Sequence, residues 1–481
     1  MTLSARDGSL ALDGTLLSWD GEFYRLDTVY GALTVDGAGV ICEGPGCPDL
    51  TAPLSVIRIV GAEEQGVQVL PGLFAAFAAA RGLDYAESAA DGALWAAEIS
   101  DPKTDKPLAK MRFYAATPEA ARSALVAGTA EMAVGLTADK GLGSRIMALD
   151  ALVPIVAADN ARPRISTADL AQALSGKVTN WKDIGGPDMP IALHALSAET
   201  SLQEALASRL GRQVAATVVH QGLSDLAAAV ARDPWALGVT LQSAAGPARI
   251  LPLTDSCGFA LTPSRLAIKA EDYPLALPIH LLTPRRRLPL MAREFLEFLS
   301  LPPAHQAVAA AGMVDRGPEV QPLSADGLRL VNALRGAEDG LPLADLRALA
   351  QQMAEADRLS LTFRFEDGSA QLDASSQDNL ARLAEMIGAD MFQGKRIVLA
   401  GFSDGQGPPD QNRVLSQQRA EAVAKALADA APDLPAGQIT PDVMAFGEVL
   451  PMACDTTTAG RRVNRRVEVW LRPAPTDIPV P

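Results

Sequence analysis

The chain is short of the features from which membrane spans, metal centres and nucleic-acid surfaces are built. Its 481 residues contain no apolar run long enough to cross a bilayer as a helix, and no recurring lipid-facing alternation of a transmembrane barrel. The four histidines, His194, His220, His280 and His305, are scattered, and the four cysteines form no Cys-x-x-Cys pair. Neither a metal site nor another cofactor is therefore expected. No Ser/His/Asp or Cys/His constellation stands at usable spacing, which argues against an enzyme. With 42 basic against 57 acidic residues the net charge is −15, which argues against nucleic acid as a partner. Residues Met1 to Asp7 lack the charged and apolar regions of a signal peptide, so the chain is either cytosolic or a mature form with a starting methionine added.

What is present is the composition of a globular protein, 48% apolar and 21% charged, at a length that suggests about three domains. Residues 9 to 41 read as short strands with Asp13-Gly14 and Asp20-Gly21 as hairpin turns, a small β module. Cys42 and Cys47 follow, flanking Glu43-Gly44-Pro45-Gly46, a loop short and flexible enough for a disulfide. Cys257 and Cys454 are left as free thiols or as a second pair.

From Ser55 strands alternate with helical patterns. Ser55–Val60 reads as a buried strand, Gly61 opens a turn, and Val67 to Arg81 has helical spacing, which indicates α/β units with largely parallel sheets. Further on, the helical stretch Ala168 to Leu174 ends in Gly176-Lys177-Val178-Thr179-Asn180-Trp181-Lys182-Asp183-Ile184-Gly185-Gly186. This motif resembles the phosphate-binding proteins of ABC importers, the PstS-like type II periplasmic binding proteins, and the resemblance runs over about residues 55 to 316. It implies a two-lobed fold that holds an anion on backbone N–H groups at helix N-termini and on hydroxyls. The positions that match the family's anion loops are Gly61, Ala62, Glu63 and Glu64, then Thr200 and Ser201, and Val134 to Thr137. Two carboxylates and a missing arginine work against phosphate there. The expected ligand is phosphate, another small solute, or none. If Glu63 and Glu64 only complement the helix dipole, they say nothing about ligand.

Residues 318–358 read as linker and helix, either a rigid spacer or a packed hinge, punctuated by Pro318, Pro322 and Pro342. Beyond them, Arg396 to Ala400 is a strand pattern, Gly401-Phe402-Ser403-Asp404-Gly405 is turn-rich, and a helical pattern begins at Asn412, with Leu415, Ala420, Val423 and Leu427 spaced to share a face. Arg419 lies fifteen residues after Asp404, about two turns into that helix. A carboxylate and a guanidinium so placed pair with each other or together hold a zwitterionic ligand. With Gly407, Leu415-Ser416, Arg419-Ala420 and Asn464-Arg465-Arg466-Val467-Glu468, this stretch resembles the OmpA-like peptidoglycan-binding domain over Leu359 to Pro473. Phe365 and Gly368 to Leu372 match the family's first strand and loop. The resemblance implies that Asp404 and Arg419 grip the charged ends of diaminopimelate in the stem peptide, with Asn412 and Arg466 completing the site. Phe402 stands where a histidine is commoner. The bland alternative is a structural ion pair and a solvated basic turn.

The expected architecture is thus α/β and α+β multidomain: a small β module (1–52), a PstS-like periplasmic binding domain of two lobes (53–317), a helical linker (318–358), an OmpA-like βαβαββ domain (359–473) and a tail (474–481). Peptidoglycan lies outside the cytoplasm, so the C-terminal resemblance favours a periplasmic, cell-wall-associated protein. One reading is a wall-anchored solute-binding protein working beside an ABC permease. The other is an envelope protein that uses a degenerate binding scaffold to dock another protein.

Overall fold

The computed structural model describes residues 1–5, 10–19, 22–44, 47, 54–336, 343–365, 371–431 and 440–474. The Asp20-Gly21 turn, the Pro45-Gly46 tip, Gly368 to Ala370 and the tail beyond 474 lie outside the described residues. Two compact units are formed: Met1–Ala148, Ala198–Ser208 and Pro278–Arg316 in the first, and Leu149–Ser197, Arg209–Leu277 and Gly317–Pro481 in the second.

The first unit starts with two three-stranded antiparallel sheets packed on Leu3, Tyr24 and Leu26. Strand Thr2–Ala5 lies between Ala11–Asp13 and Val40–Glu43, while Phe23–Thr28 lies between Thr15–Trp19 and Gly31–Asp36. The strands on either side of Asp13-Gly14 belong to different sheets, so this pair is a crossover between sheets and not the expected hairpin turn. The Gly14 N–H is bonded to the Met1 carbonyl, and a side chain at Gly14 would press on the Asp27 carbonyl. The Cys42–Cys47 disulfide closes the module.

In the same unit, strand Ser55–Gly61 runs parallel to both Pro107–Ala115 and Met132–Gly135, and antiparallel strands extend the sheet on both sides. Helix Glu63–Ala80 starts directly after Gly61 and Ala62, four residues before the helical spacing begins in the sequence. Gly66 is inside it, at a position where any side chain would overlap the Phe113 ring. The helix buries Phe74 and Phe77 against Phe295 and Phe298, with Phe74 and Phe295 stacked at 3.9 Å. Glu22 of the β module accepts hydrogen bonds from Arg287 and Arg293, and Arg287 lies over the Phe23 ring at 3.8 Å.

In the second unit, Ala192–Leu196 pairs in parallel with Val218–His220 and Ala236–Leu241, and Ala236–Leu241 pairs antiparallel with residues 152–155. The Gly-Lys-Val-x-Asn-Trp segment is a structural corner of this lobe. Ser166 caps helix Thr167–Leu174, Asn180 caps the turn Trp181–Ile184, and fully buried Trp181 donates to the Trp235 carbonyl.

The C-terminal part of the second unit is a five-stranded sheet in the order Val320–Pro322, Asp357–Arg364, Arg466–Pro473, Lys395–Phe402, Asp442–Ala445. Leu383, Ala420, Val423 and Leu427, on helices Ala374–Gly388 and Pro409–Ala430, pack with Leu359, Leu361, Val467 and Val469. A second core joins Val398, Ala400, Phe402 and Trp470 to Leu323, Ala333, Leu346, Leu349 and Met353. The stretch whose role the sequence leaves open is therefore a packed layer, and it contributes a strand to the sheet. In the long helix the inward row is Asn412, Ser416, Ala420, Val423 and Leu427, and Leu415 is exposed. Gly401 explains the register: a side chain there would overlap the Ser416 carbonyl, so helix and strand approach backbone to backbone.

Within this unit the sheet also meets the lobe. Asp272 accepts from Arg358 at 2.6 Å and from Arg364 at 3.0 Å, and Arg364 donates further to the carbonyls of Ala270 and Glu271. Cys257 of the lobe is disulfide-bonded to Cys454, so neither is a free thiol.

Candidate functional site

Strand Lys395–Phe402 delivers the chain through Ser403 to Asp404 at the edge of the second unit, and the Asp404–Gly407 turn leads to helix Pro409–Ala430. The Asp404 carboxylate accepts a hydrogen bond from Arg465 Nη1 at 2.9 Å, in a pair that is mostly but not wholly sheltered. Arg419 stands within electrostatic reach of both. Burial lowers its pKa, Asp404 opposes that, and Arg465 reinforces it. Its Nη1 is buried without a hydrogen-bond partner, and its guanidinium carbon lies 5.9 Å from the centre of the Phe365 ring. Two guanidinium groups and one carboxylate thus converge beside an aromatic face.

Asn412 and Arg466 lie elsewhere. Asn412 is buried and donates to Glu448. Arg466 has no exposed surface: it donates to Glu468 Oε1 at 2.7 Å and to the Leu450 carbonyl at 2.9 Å, and its guanidinium sits 4.3 Å from the Phe402 ring centre. Burial pushes its pKa down to about 10 against the opposing pull of Glu468. Glu468 is also fully buried, which by itself raises its pKa, but Arg329, Arg358 and Arg466 together hold it well below the usual carboxylate range. Phe402 is a core residue stacked on Phe446, so its side chain is directed away from Asp404.

The cationic partner that the sequence reasoning missed is Arg465. Its signal was its place in Asn464-Arg465-Arg466. Arg465 caps helix Thr458–Asn464 and Arg466 opens the next strand, so the two arginines face different ways.

The second candidate site gathers in the first unit. Gly61 has φ +127°, and a side chain there would overlap the Val134 carbonyl, to which the Ala62 N–H is bonded. Helix Glu63–Ala80 therefore starts against the strand that carries Val134, with Glu63 and Glu64 in its first turn and no side-chain cap. Thr200 precedes helix Ser201–Leu210 and its hydroxyl accepts from the Gln203 N–H, while Ser201 is buried and Glu204 lies in the first turn. Thr137 donates to Glu204 at 3.4 Å. Each helix thus carries carboxylates in its first turn, beside its own N-terminal N–H groups.

Residues 364–465 match the OmpA family, and residues 84–301 match a PBP superfamily domain. The chain joins a periplasmic-binding-protein-like domain to a C-terminal OmpA domain.

The OmpA domain is 31% identical over 116 residues to outer membrane porin F of Pseudomonas fluorescens, covering 24% of this chain and 34% of that protein. It is 33% identical over 109 residues to the probable lipoprotein YiaD of Escherichia coli K12, covering 23% of this chain and 47% of that protein. The chain therefore spans only about a third to a half of the length of these curated relatives. Among solved structures, an ABC-type phosphate transport receptor from Vibrio cholerae is similar over 54% of this chain and 99% of its own, at 19% identity and a TM-score of 0.42. The peptidoglycan-associated lipoprotein of Burkholderia pseudomallei covers 23% of this chain at 25% identity, with 89% of its own length and a TM-score of 0.20. Both matched families are binding proteins. Among the described residues, no helix is long and apolar enough to cross a membrane.

Proposed function

We propose that the protein is a periplasmic, cell-wall-associated binding protein whose OmpA domain holds the diaminopimelate-containing stem peptide of peptidoglycan. The observation that carries this reading is Arg419: a buried guanidinium nitrogen without a hydrogen-bond partner, beside the Asp404–Arg465 pair. An unsatisfied buried donor costs on the order of 1–3 kcal/mol, and an incoming carboxylate recovers that as a charge-assisted hydrogen bond. Asp404, oriented by Arg465, receives the ammonium end of the zwitterion, and Arg419 receives its carboxylate. Asn412 and Arg466 support this site from the interior, Asn412 by fixing the helix to Glu448 and Arg466 by fixing the strand to Leu450 and Glu468. Two disulfides suit an oxidising compartment.

The periplasmic-binding-protein-like domain serves as a solute or docking module. Carboxylates in the first turns of both helices favour a solute other than phosphate, or a docking role without a tight small ligand, over a plain phosphate receptor feeding an ABC permease. Co-sedimentation with purified sacculi tests the wall-binding reading. The unmodified protein pellets with sacculi and Asp404→Ala stays in the supernatant, whereas pelleting of both refutes the site.

A further inference from the structure

Loop Met452–Thr456 carries contacts that the two candidate sites do not use. Asp455 turns its carboxylate toward the Asp404 turn: Oδ2 accepts the Gly405 N–H at 2.6 Å, and Oδ1 accepts Asn464 Nδ2 at 2.6 Å. Gly405 follows Asp404 and Asn464 precedes Arg465, so one carboxylate fixes the backbone next to each member of the Asp404–Arg465 pair. Asn464 closes the loop in return, accepting from the N–H groups of Met452 and Ala453 at 2.7 and 3.0 Å. Arg461 donates to the Asp455 carbonyl at 2.8 Å.

The other side of this loop is held by the lobe. Cys454, adjacent to Asp455, is disulfide-bonded to Cys257, and its N–H donates to Asp255 Oδ2 at 2.7 Å. Asp255 is itself fixed, because its Oδ1 accepts the N–H groups of Cys257 and Phe259 at 3.0 and 2.8 Å. A covalent bond and a charged hydrogen bond therefore run from the lobe to Cys454, the immediate neighbour of the residue that buttresses the Asp404 turn.

We propose that Asp455 is a positioning residue for peptidoglycan recognition, and that the lobe sets its position through Asp255 and the Cys257–Cys454 bond. This rests on the reading of Asp404, Arg419 and Arg465 as the wall-binding site, and it makes affinity for the wall a joint property of the OmpA domain and the lobe. A rigid site binds a zwitterion better than one that must be ordered on binding, because the ordering entropy is then already spent.

The test is calorimetric titration of the full chain with a soluble muropeptide bearing a diaminopimelate stem. The variants are Asp455→Ala, Asp455→Asn, the double substitution Cys257→Ser with Cys454→Ser, and Asp404→Ala. Cys42→Ser and Lys269→Met serve as controls, since they remove the module disulfide and a separate ion pair of the lobe with Glu319. Thermal melting of each variant confirms that it is folded at the titration temperature. Asp455→Ala and the double cysteine variant weaken binding roughly tenfold. Asp455→Asn, which keeps an oxygen for the Gly405 N–H, recovers part of that loss, and both controls bind like the unmodified protein. The cysteine variant leaves every hydrogen bond of Asp455 itself in place, so it tests the lobe's part even if Asp455→Ala does not fold. Unchanged affinity in the cysteine variant and in whichever Asp455 variants fold, with binding lost in Asp404→Ala, overturns the positioning role alone. Binding retained in Asp404→Ala overturns the site and this inference together.

Discussion

Asp404 accepts a hydrogen bond from Arg465, 2.9 Å away, while Arg419, within electrostatic reach of both, keeps one buried nitrogen without a hydrogen-bond partner. In the proposed site the two arginines therefore have different tasks: Arg465 orients the carboxylate, and Arg419 takes the ligand's anion. Removing Arg419 deletes a desolvated ligand contact and weakens muropeptide binding roughly a hundredfold. Arg465→Ala removes the hydrogen bond that orients Asp404 and costs roughly tenfold. Calorimetry on both variants checks the order. Equal losses would contradict the division of roles.

At the junction between lobe and sheet, Asp272 is the shared acceptor of Arg358 and Arg364, and all three side chains are buried. Replacing it by alanine removes the counter-charge that two buried guanidinium groups share and destabilises the second unit by about 3–5 kcal/mol. Urea unfolding of Asp272→Ala measures this, and a loss under 1 kcal/mol, the range of a surface ion pair, would show that the junction is solvated.

His280 supplies a pH dependence. It is buried beside Ser144, which lies 2.8 Å from its Nδ1. Burial, assisted by the charge of Arg316, pushes its pKa down to about 4. The folded state thus holds a neutral imidazole where the unfolded chain binds a proton. This contribution to stability is intact above the unfolded value of about 6.5 and is lost as pH falls from there toward 4, to a total of about 3 kcal/mol. Buried His194, whose pKa is lowered by burial and by His220, adds loss of the same sign. The melting temperature therefore falls over that window, and His280→Gln flattens the fall. An unchanged slope would place the proton uptake elsewhere.

For the second candidate site, Glu63 and Glu64 at the uncapped helix start are the deciding residues. A repulsion of about 4 kcal/mol weakens phosphate binding roughly a thousandfold. Micromolar phosphate accordingly gives no calorimetric signal at neutral pH, and Glu63→Ser with Glu64→Thr raises the affinity. Micromolar binding by the unmodified protein would restore the phosphate-receptor reading.

The parts of this molecule that were legible in its sequence are those where local chemistry dictates geometry. Asn180 and Trp181 build a turn from a cap and a buried indole, and Cys42 with Cys47 spans a loop too short to hold its ends apart. Asp404 and Arg419 converge because a strand, a turn and a helix of those lengths leave them little choice. What stayed illegible depends on packing across long sequence distances. Leu415 looks apolar enough for the core, yet the close approach of Gly401 to Ser416 rotates the helix and leaves it exposed. Asp13-Gly14 has hairpin chemistry, but its flanking strands find better partners in separate sheets. Nothing local to Cys257 or Cys454 announces a bond across 197 residues, and nothing local to Leu323, Ala333, Leu346, Leu349 or Met353 announces that they complete the core around Trp470. Arg465 and Arg466 were indistinguishable until the end of a short helix separated them.

The measurement that bears most directly on the central claim compares two soluble muropeptides that differ only in the third stem residue, diaminopimelate in one and lysine in the other, titrated into the full chain. Lysine lacks the second carboxylate, so it leaves Arg419 Nη1 as it is in the free protein. The diaminopimelate form binds, its binding is lost in Arg419→Ala, and the lysine form binds more weakly by roughly a hundredfold. Equal affinity for the two forms, or full affinity in Arg419→Ala, would contradict the claim.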